Sequence, residues 1–188
     1  MLKDLILKSR SYRRFYENHK ISKADLRDLI DLARLSPSAR NAQPLKYFLS
    51  YDEDTNAKIF PNLAWAGYLT DWPGPKEGER PSAYIVILLD TEITDDQFCD
   101  DGIAIQSILL GAAEKGLGGC TIAAIKKYEL KKILNIPDSY EILYVLAIGK
   151  PKETVVIEDI KDGDFKYWRD DKGIHHVPKR TLNELIIS

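Results

Sequence analysis

The 188-residue sequence predicts a single domain of the α+β class, built from mixed α and β layers. Segments with helical and strand-like apolar spacing alternate along the chain without regular βαβ units. Residues 83–89 form a continuous apolar run, which is typical of a buried central strand. Hydrophobic residues make up 44% of the chain and charged residues 30%, an ordinary globular balance that can supply a proper core.

The first part of the chain predicts two helices. Residues 2–8 form a short one. In the second, Ser22 followed by Asp25 resembles a capping box, in which each residue bonds the other's backbone amide. Pro37 marks the end of this helix, and a polar loop follows at 38–44. The helix buries one face through apolar residues at helical spacing, namely Leu26, Leu29, Ile30 and Ala33.

A strand is expected at 45–51, followed by an irregular helical stretch at 53–70. Residues 71–81 (DWPGPKEGERP) are rich in proline and glycine and therefore form a loop. The flanking segments are too short to fold alone, so this loop does not separate two domains. We therefore expect one domain over 1–188, with the strand at 83–89 near its centre.

Residues 98–115 predict a helix that is apolar nearly all round, and such a helix must be covered on every side. Periodicity alone does not decide whether a second subunit or the same chain supplies the cover. Next come an apolar stretch at 120–125, a helix around 128–134 and a strand at 141–148. The tail, 153–188, is polar until its last residues and has few packing options in its own subunit. We expect it to wrap around a partner.

Charge and cysteine content exclude several classes of function. The net charge of −2 gives no basic field that would attract nucleic acid or an anionic membrane. Two cysteines, Cys99 and Cys120, are too few for a secreted disulfide framework, and their spacing does not suit zinc. Residues 1–10 lack the features of a signal peptide, and later apolar runs are too short to span a bilayer. These observations predict a cytoplasmic protein.

Two basic clusters stand far apart in the sequence. The first contains Arg10, Ser11 and Arg13, whose guanidinium and hydroxyl groups suit a phosphate clamp. The second, Lys179 and Arg180, could complete such a site. Taken alone, the first is more often a solvated basic turn, and the second could equally be an ordinary exposed tail.

Two further segments are rich in polar or small residues that the packing of a hydrophobic core does not require. Residues 36–44 hold hydroxyl and amide groups between two prolines, which suits the polar edge of a flavin or its ribityl chain. A helix end followed by a turn explains them equally well. Residues 116–124 are small enough to bring backbone N–H groups close to a flat ligand. A glycine run of this kind is more often a helix C-cap and turn, and it differs from the dinucleotide fingerprint.

In order and spacing, these segments together resemble the nitroreductase family of FMN proteins. The resemblance spans nearly the whole chain, although Ser9 stands where many relatives carry an arginine and residues 61–81 depart from the better-known members. The matches are Arg10, Ser11, Arg13 and Phe15 in the opening basic element, Pro37, Ser38, Asn41, Gln43 and Pro44 in the proline-framed element, Gly116, Leu117 and Gly118 in a Gly-Leu-Gly turn, and Lys179 and Arg180 in the C-terminal pair.

The resemblance implies a nitroreductase-like fold, with a central mixed or antiparallel sheet flanked by helices, and an obligate homodimer with FMN at each of two interface sites. It also implies a role for each matched residue. Arg10, Ser11, Arg13, Lys179 and Arg180 would hold the phosphate and its neighbourhood, Pro37, Ser38 and Ala39 would face the partner's flavin, Asn41 and Gln43 would lie near the ribityl or ring edge, and Ile122, Ala123 and Ala124 would present backbone to the ring.

The activity implied by the resemblance is hydride transfer from NADPH or NADH, through FMN, to an electron-poor small molecule such as a nitroaromatic or a quinone. Because the flavin carries the chemistry, no catalytic acid or base is expected in the protein. The pair His175-His176 is read as a tail feature, since adjacent histidines without a carboxylate make a poor metal site. Alternatives are a module that stores or senses FMN, dehalogenation or flavin fragmentation on the same fold, and a dimeric binding domain without flavin.

Overall fold

The computed structural model describes residues 1–187 and places the core on both faces of one sheet. Six helices and seven strands are found in these residues, together with short 3-10 turns at Ala39–Asn41 and Phe60–Asn62. In chain order they are α1 (Leu2–Lys8), α2 (Lys23–Arg34), β1 (Leu45–Ser50), α3 (Glu53–Ile59), β2 (Ala83–Asp90), α4 (Asp100–Glu114), β3 (Gly118–Ile122), α5 (Lys127–Ile133), β4 (Tyr140–Gly149), β5 (Val155–Asp159), β6 (Trp168–Arg169), β7 (His175–Lys179) and α6 (Leu182–Leu185).

The central sheet has the order β1-β2-β4-β3, and each neighbouring pair is antiparallel. Strands β2 and β4 occupy its middle, which confirms the prediction of a buried central strand at 83–89. Successive side chains of a strand point to opposite faces. Ile85 and Ile87 accordingly join a cluster with α2 and α4, while Tyr84 and Val86 join a cluster with α5 and the segment after α3. The apolar run is continuous because both faces are covered.

The predicted start of α2 is confirmed in detail. Ser22 Oγ accepts a hydrogen bond from the Asp25 amide at 3.1 Å, and Asp25 Oδ2 accepts one from the Ser22 amide at 3.1 Å. The helical stretch expected at 53–70 is shorter than predicted. Helix α3 ends at Ile59, and a 3-10 turn containing Pro61 follows, because proline offers no amide to continue the helix.

Helix α4 is only partly covered by its own chain. Ala104, Ile108 and Ala112 are buried against the sheet and α2. Between the two helices Gly111 permits close approach, since a Cβ there would lie 2.3 Å from Leu32 Cδ1. Other apolar residues of α4 are only partly buried, namely Ile103, Ile105, Leu109 and Leu110.

The tail packs on its own subunit to a greater extent than its polarity suggests. Strand β7 pairs in parallel with β5 and antiparallel with β6, so residues 155–179 build a second, three-stranded sheet. The expectation that the tail has few partners in its own chain is therefore wrong for this part. From Thr181 onward the described side chains are exposed, including Leu182 and Leu185. No helix within residues 1–187 is long and apolar enough to cross a bilayer.

Candidate cofactor site

The segment 9–15 lies against the edge of the central sheet beside β3. Ser11 forms a parallel bridge with Gly119, and the Tyr12 amide donates to the Gly119 carbonyl at 3.0 Å. The close approach of the Tyr12 ring to β3 requires a residue without a side chain at position 118. A Cβ on Gly118 would lie 2.4 Å from the Tyr12 ring, and one on Gly119 would lie 2.8 Å from the Ala147 carbonyl oxygen. Gly118 therefore makes room for the basic segment, whereas Gly119 allows β3 to pack closely on β4.

The glycine run at 116–119 is thus explained by the fold itself. Gly116 follows the end of α4 with a φ of +72°, a conformation that favours glycine. The alternative of a helix end and turn is confirmed for this residue. Gly118 and Gly119 pack against the protein's own side chains and backbone, so close approach of a flat ligand is not needed to account for them.

A cavity of about 200 Å³ lies between the basic segment and β7. It brings together the two ends of the chain, because Arg10 and Arg13 line one part and Lys179 lines another. The cavity is therefore lined by three residues of the first basic cluster and one of the second, all of them predicted to hold a phosphate: Arg10, Ser11, Arg13 and Lys179. The full lining is Ser9, Arg10, Ser11, Arg13, Tyr167, His175, Val177 and Lys179.

Arg13 is the most constrained cation of this cavity, at 8% exposure. Its Nη1 donates to the Ser11 carbonyl at 3.2 Å and lies 3.1 Å from His175 Nε2. The guanidinium carbon sits 4.6 Å from the centre of the Tyr167 ring, a cation–π contact. Its backbone amide donates to buried Glu153. The side chain is thus fixed by three neighbours and lines the cavity.

Glu153 ties the basic segment to the second sheet. Its Oε2 accepts from Arg169 Nη2 at 3.1 Å, and its Oε1 accepts from the amides of Arg13 and Arg14. The Glu153 side chain is fully buried. Because a buried carboxylate is costly unless paired, this arrangement fixes the position of β6 relative to the basic segment.

The donor set of the cavity suits an anion. Arg10 Nη2 donates to the Ile6 carbonyl at 2.6 Å, but Arg10 Nε and His175 Nδ1 are buried without a hydrogen-bond partner among residues 1–187. Buried polar groups are normally paired. In the same residues no group of three or more histidine, cysteine or acidic side chains is arranged to hold a metal. Guanidinium, ammonium and hydroxyl donors fit a phosphate group well.

Arg180, the other member of the C-terminal pair, does not line this cavity. Its Nη1 lies 3.4 Å from Glu184 Oε1, and the side chain is exposed. Alternating residues of an extended segment point in opposite directions, which separates Lys179 from its neighbour. Within one chain, therefore, Lys179 joins the basic segment and Arg180 does not, and the role expected of Arg180 at the phosphate stays a prediction.

The polar loop after α2 borders a different cavity, of about 240 Å³. Pro37, Ser38 and Gln43 line it, while Asn41 and Gln43 are exposed. The backbone of this polar loop is unusual, because Arg40, Asn41 and Gln43 have φ values of 54°, 55° and 53°. Such conformations are strained for residues other than glycine and need support from their surroundings.

Asp100, at the start of α4, supplies that support. Its Oδ2 accepts from Ser38 Oγ at 2.6 Å and its Oδ1 accepts from the Ala39 amide at 2.8 Å. Ser38 Oγ in turn accepts from the Gln43 amide at 2.9 Å. Asp100 is 3% exposed, and its charge adds to burial in raising the pKa of Tyr47 to about 12. Sequence reasoning missed Asp100, although an acidic residue opening an apolar helix was a visible signal.

Strand β3 connects the basic segment to the small residues predicted to face the ring. Ile122 is buried at 4% exposure, and Ala123 and Ala124 are exposed just beyond the strand. From Gly119 to Ile122 the strand advances roughly 10 Å at about 3.3 Å per residue. The Ala124 carbonyl accepts from the Ala64 amide at 2.9 Å, which brings the start of segment 61–81 to the same end.

The two cavities have no lining residue in common. In a single chain, the loop at 37–43 therefore stands apart from the basic cavity and β3. The family resemblance implies that the loop of one subunit meets the basic cavity and β3 of the other. The separation of the loop from the cavity within one chain is compatible with that arrangement.

The comparisons with known proteins all point to the same family. Residues 6–73 and 79–150 match the sequence model of the nitroreductase family. MhqN of Bacillus subtilis, which carries the provisional name of an NAD(P)H nitroreductase, is 27% identical over 181 residues, covering 79% of this chain and 87% of that protein. Iodotyrosine deiodinase of Thermotoga neapolitana is 26% identical over 173 residues, covering 81% and 90%.

Solved structures confirm the fold. The NADPH:FMN oxidoreductase of Vibrio harveyi, solved in complex with NAD+, superposes with a TM-score of 0.63 at 21% identity, over 81% of this chain and 69% of that one. The region matched by the family model contains the basic segment, the polar loop and β3. It ends at residue 150, so His175 and Lys179 of β7 lie beyond it.

Proposed function

The chain belongs to the nitroreductase family, and from that premise we propose that it is an FMN-dependent oxidoreductase that passes a hydride from NADPH or NADH to an electron-poor small molecule. The observation that carries the proposal is the convergence of Arg10, Arg13 and Lys179 on one cavity beside β3. The names of MhqN and of the Vibrio harveyi protein support the choice of a nicotinamide donor and of FMN.

In this proposal the residues of the cavity bind and orient the cofactor. Arg10, Ser11, Arg13 and Lys179 hold the phosphate, with Arg13 kept rigid by Tyr167 and His175. When bound, FMN supplies the hydride transfer through its N5 position. Backbone groups at 122–124 border the ring and offer hydrogen bonds that stabilise developing charge. The protein therefore contributes positioning and a dry surface, and no side chain need act as acid or base.

We propose a homodimer in which the loop at 37–43 completes the partner's site. Partly exposed apolar residues occur on three elements that one chain leaves uncovered, and such patches mark interfaces. They are Leu2 and Leu7 on α1, Ile103 and Leu110 on α4, and Leu182 and Leu185 on α6. Wrapping of the partner by residues after 180, a cytoplasmic location and the lack of nucleic-acid or membrane partners stay predictions.

The proposal is tested with purified protein. We expect a yellow protein with flavin absorbance that NADPH or NADH bleaches, and that a nitroaromatic or a quinone re-oxidises. Light scattering should give twice the mass of the 21.4 kDa chain. A colourless protein that FMN does not reconstitute would contradict the proposal. A yellow protein that neither nicotinamide bleaches would indicate storage or sensing of FMN instead.

Reductive dehalogenation is a second candidate, favoured by the similarity to iodotyrosine deiodinase. Segment 61–81, which departs from better-known relatives, does not line the cofactor cavity but contacts Tyr167 in its wall. Tyr68 lies 4.9 Å from the Tyr167 ring and 6.3 Å from the Phe165 ring, and Tyr167 covers Arg13. Halide release from iodophenols under reducing conditions would favour this candidate if Tyr68→Ala loses that activity while it keeps its FMN and its reduction of nitroaromatics.

A further inference from the structure

His175 lies in the wall of the cofactor cavity, outside the region that the family model matches. It begins β7 and is 1% exposed. Its amide donates to the Thr154 carbonyl at 2.9 Å, so the backbone position is fixed by the sheet. From the sequence the pair His175-His176 resembles a tail feature, but the two side chains have different surroundings.

The contact between His175 and Arg13 determines which ring nitrogen carries the proton. Arg13 Nη1 lies 3.1 Å from His175 Nε2, and a guanidinium group has donors only. Nε2 must therefore accept, which requires a neutral ring with its proton on Nδ1. Burial, reinforced by the charges of Arg13, Arg169 and His176, lowers the pKa of His175 to about 4. The ring is thus neutral at physiological pH.

The same ring also contacts the aromatic ring that lies against the guanidinium. Tyr167 lies 5.2 Å from the His175 ring and 4.6 Å from the Arg13 guanidinium carbon. His175 thus contacts Arg13 both directly at Nε2 and through the shared tyrosine. Fixing an arginine before its ligand binds reduces the conformational entropy that binding must otherwise remove.

We propose that His175, as the neutral Nδ1–H form, is a positioning residue that holds the Arg13 guanidinium in place for the phosphate of the cofactor. This inference rests on the proposed function, because it assigns the role toward the same FMN site. His176 has no part in it. That ring stacks on Trp168 at 3.9 Å and lies 3.1 Å from Glu158 Oε2, on the other face of β7.

The first experiment needs no cofactor. Long-range ¹⁵N–¹H correlation spectra of the protein at pH 7, with His175 assigned by comparison with His175→Gln, report the protonation of each ring nitrogen. We expect the Nδ1–H form for His175. An Nε2–H form or a doubly protonated ring would overturn the proposal whether or not the protein binds FMN.

The second experiment measures the Kd of FMN by quenching of its fluorescence. We expect His175→Leu, which removes the acceptor, to weaken binding about tenfold. His175→Gln keeps an acceptor oxygen and should stay within about threefold of the unmodified protein. His176→Leu is the matched control and should leave the Kd unchanged. Circular dichroism and thermal unfolding establish that each variant is folded before its Kd is compared.

The outcomes separate this proposal from the proposed function. If Arg13→Ala weakens FMN binding while His175→Leu does not, the cofactor site stands and the positioning role of His175 is wrong. If the unmodified protein binds no FMN, the proposed function fails, and the positioning role fails with it. Non-additive effects in the double variant Arg13→Ala/His175→Leu would support direct coupling of the two side chains.

Discussion

Arg14 and Glu79 form a two-point ion pair: Nε donates to Oε2 at 2.8 Å and Nη2 donates to Oε1 at 2.7 Å. The Glu79 side chain is 6% exposed, and Lys152 Nζ lies 3.3 Å from the same Oε1. The pair joins the basic segment to the end of loop 71–81, where the Phe15 amide also donates to the Glu79 carbonyl at 3.0 Å. It therefore anchors the segment that carries Arg10 and Arg13.

This ion pair predicts how stability depends on pH. Hydrogen bonds from Arg14 lower the pKa of Glu79 from its ordinary 4.5 to about 2. A lowered folded-state pKa contributes stability that is present above the unfolded value and is lost as the pH falls toward about 2. Glu79→Gln should lower the free energy of unfolding by about 1.5–3 kcal/mol at pH 7, measured by urea denaturation. The difference from the unmodified protein should shrink below about pH 4.

The exposed pair Lys20–Glu53 provides the control, because its side chains are 66% and 83% exposed. Glu53→Gln should lower the free energy of unfolding at pH 7 far less than Glu79→Gln does, because exposed ion pairs contribute little. Equal effects of the two substitutions would show that the Arg14–Glu79 pair has no special structural role.

A second prediction concerns Asp100 and the strained loop. Asp100→Ala removes the acceptor for Ser38 Oγ and the Ala39 amide. Without it, the residues of positive φ lose their support, so amide hydrogen exchange over 38–43 should accelerate. The free energy of unfolding should fall by about 1–3 kcal/mol. Hydrogen-exchange mass spectrometry at pH 7 measures the loop directly.

The neighbouring Asp101 is the matched control for this loop. Asp101 is only partly buried and accepts from the Gly102 amide at 2.8 Å. Asp101→Ala should leave exchange over 38–43 unchanged, while lowering stability by up to about 1 kcal/mol through the helix N-terminus. Equally fast loop exchange in both variants would mean that Asp100 does not hold the loop.

Local signals in the sequence predict the central layers well, because they are properties of neighbouring residues. The capping box of α2 and the doubly buried strand β2 are read from spacing alone. The second sheet cannot be predicted in this way. Its strands β5 and β7 pair in parallel although they are distant in sequence, and they show little apolar alternation. Pairing of this kind is set by tertiary contacts that no short window contains.

The site shows the same division between local and distant information. Arg10, Arg13 and Lys179 could be proposed from residue type and family resemblance, and the structure places them on one cavity. Asp100 and His175 were missed as contributors because their roles depend on contacts with Ser38 and Arg13, which lie far away in the sequence. Their polar side chains become informative only when the buried partners are known.

A third prediction concerns Gly119, the glycine of β3 that packs closely on β4. A Cβ on Gly119 would lie 2.8 Å from the Ala147 carbonyl oxygen, and backbone atoms of a central strand cannot easily move away. Gly119→Ala should lower the free energy of unfolding by about 1–3 kcal/mol. Gly102 is the control, since a Cβ there meets nothing within 4 Å and the residue is helical. Gly102→Ala should stabilise by about 0.4–1 kcal/mol, and a loss in both variants would contradict this assignment.

A fourth prediction separates the two residues of the C-terminal basic pair and rests on the proposed function. Both side chains are exposed, but Lys179 lines the cavity with Arg13, whereas Arg180 lies near Glu184. Lys179→Ala should weaken FMN binding by about 1.5–3 kcal/mol, since it removes a charge-assisted contact with phosphate. Arg180→Ala should change the Kd by less than about threefold, because a charge separated by solvent is screened.

The same two variants also distinguish a direct contact with the FMN phosphate from a general effect of positive charge on FMN binding. Riboflavin lacks the phosphate, so Lys179→Ala should leave its binding unchanged while FMN binding falls. Titrations at low and high salt, followed by flavin fluorescence, provide the measurement, and the difference between the two residues should persist at high salt because direct contacts are screened less. If Arg180→Ala weakens FMN binding as much as Lys179→Ala does, the second basic cluster acts as a pair, and its geometry in the dimer differs from that within one chain.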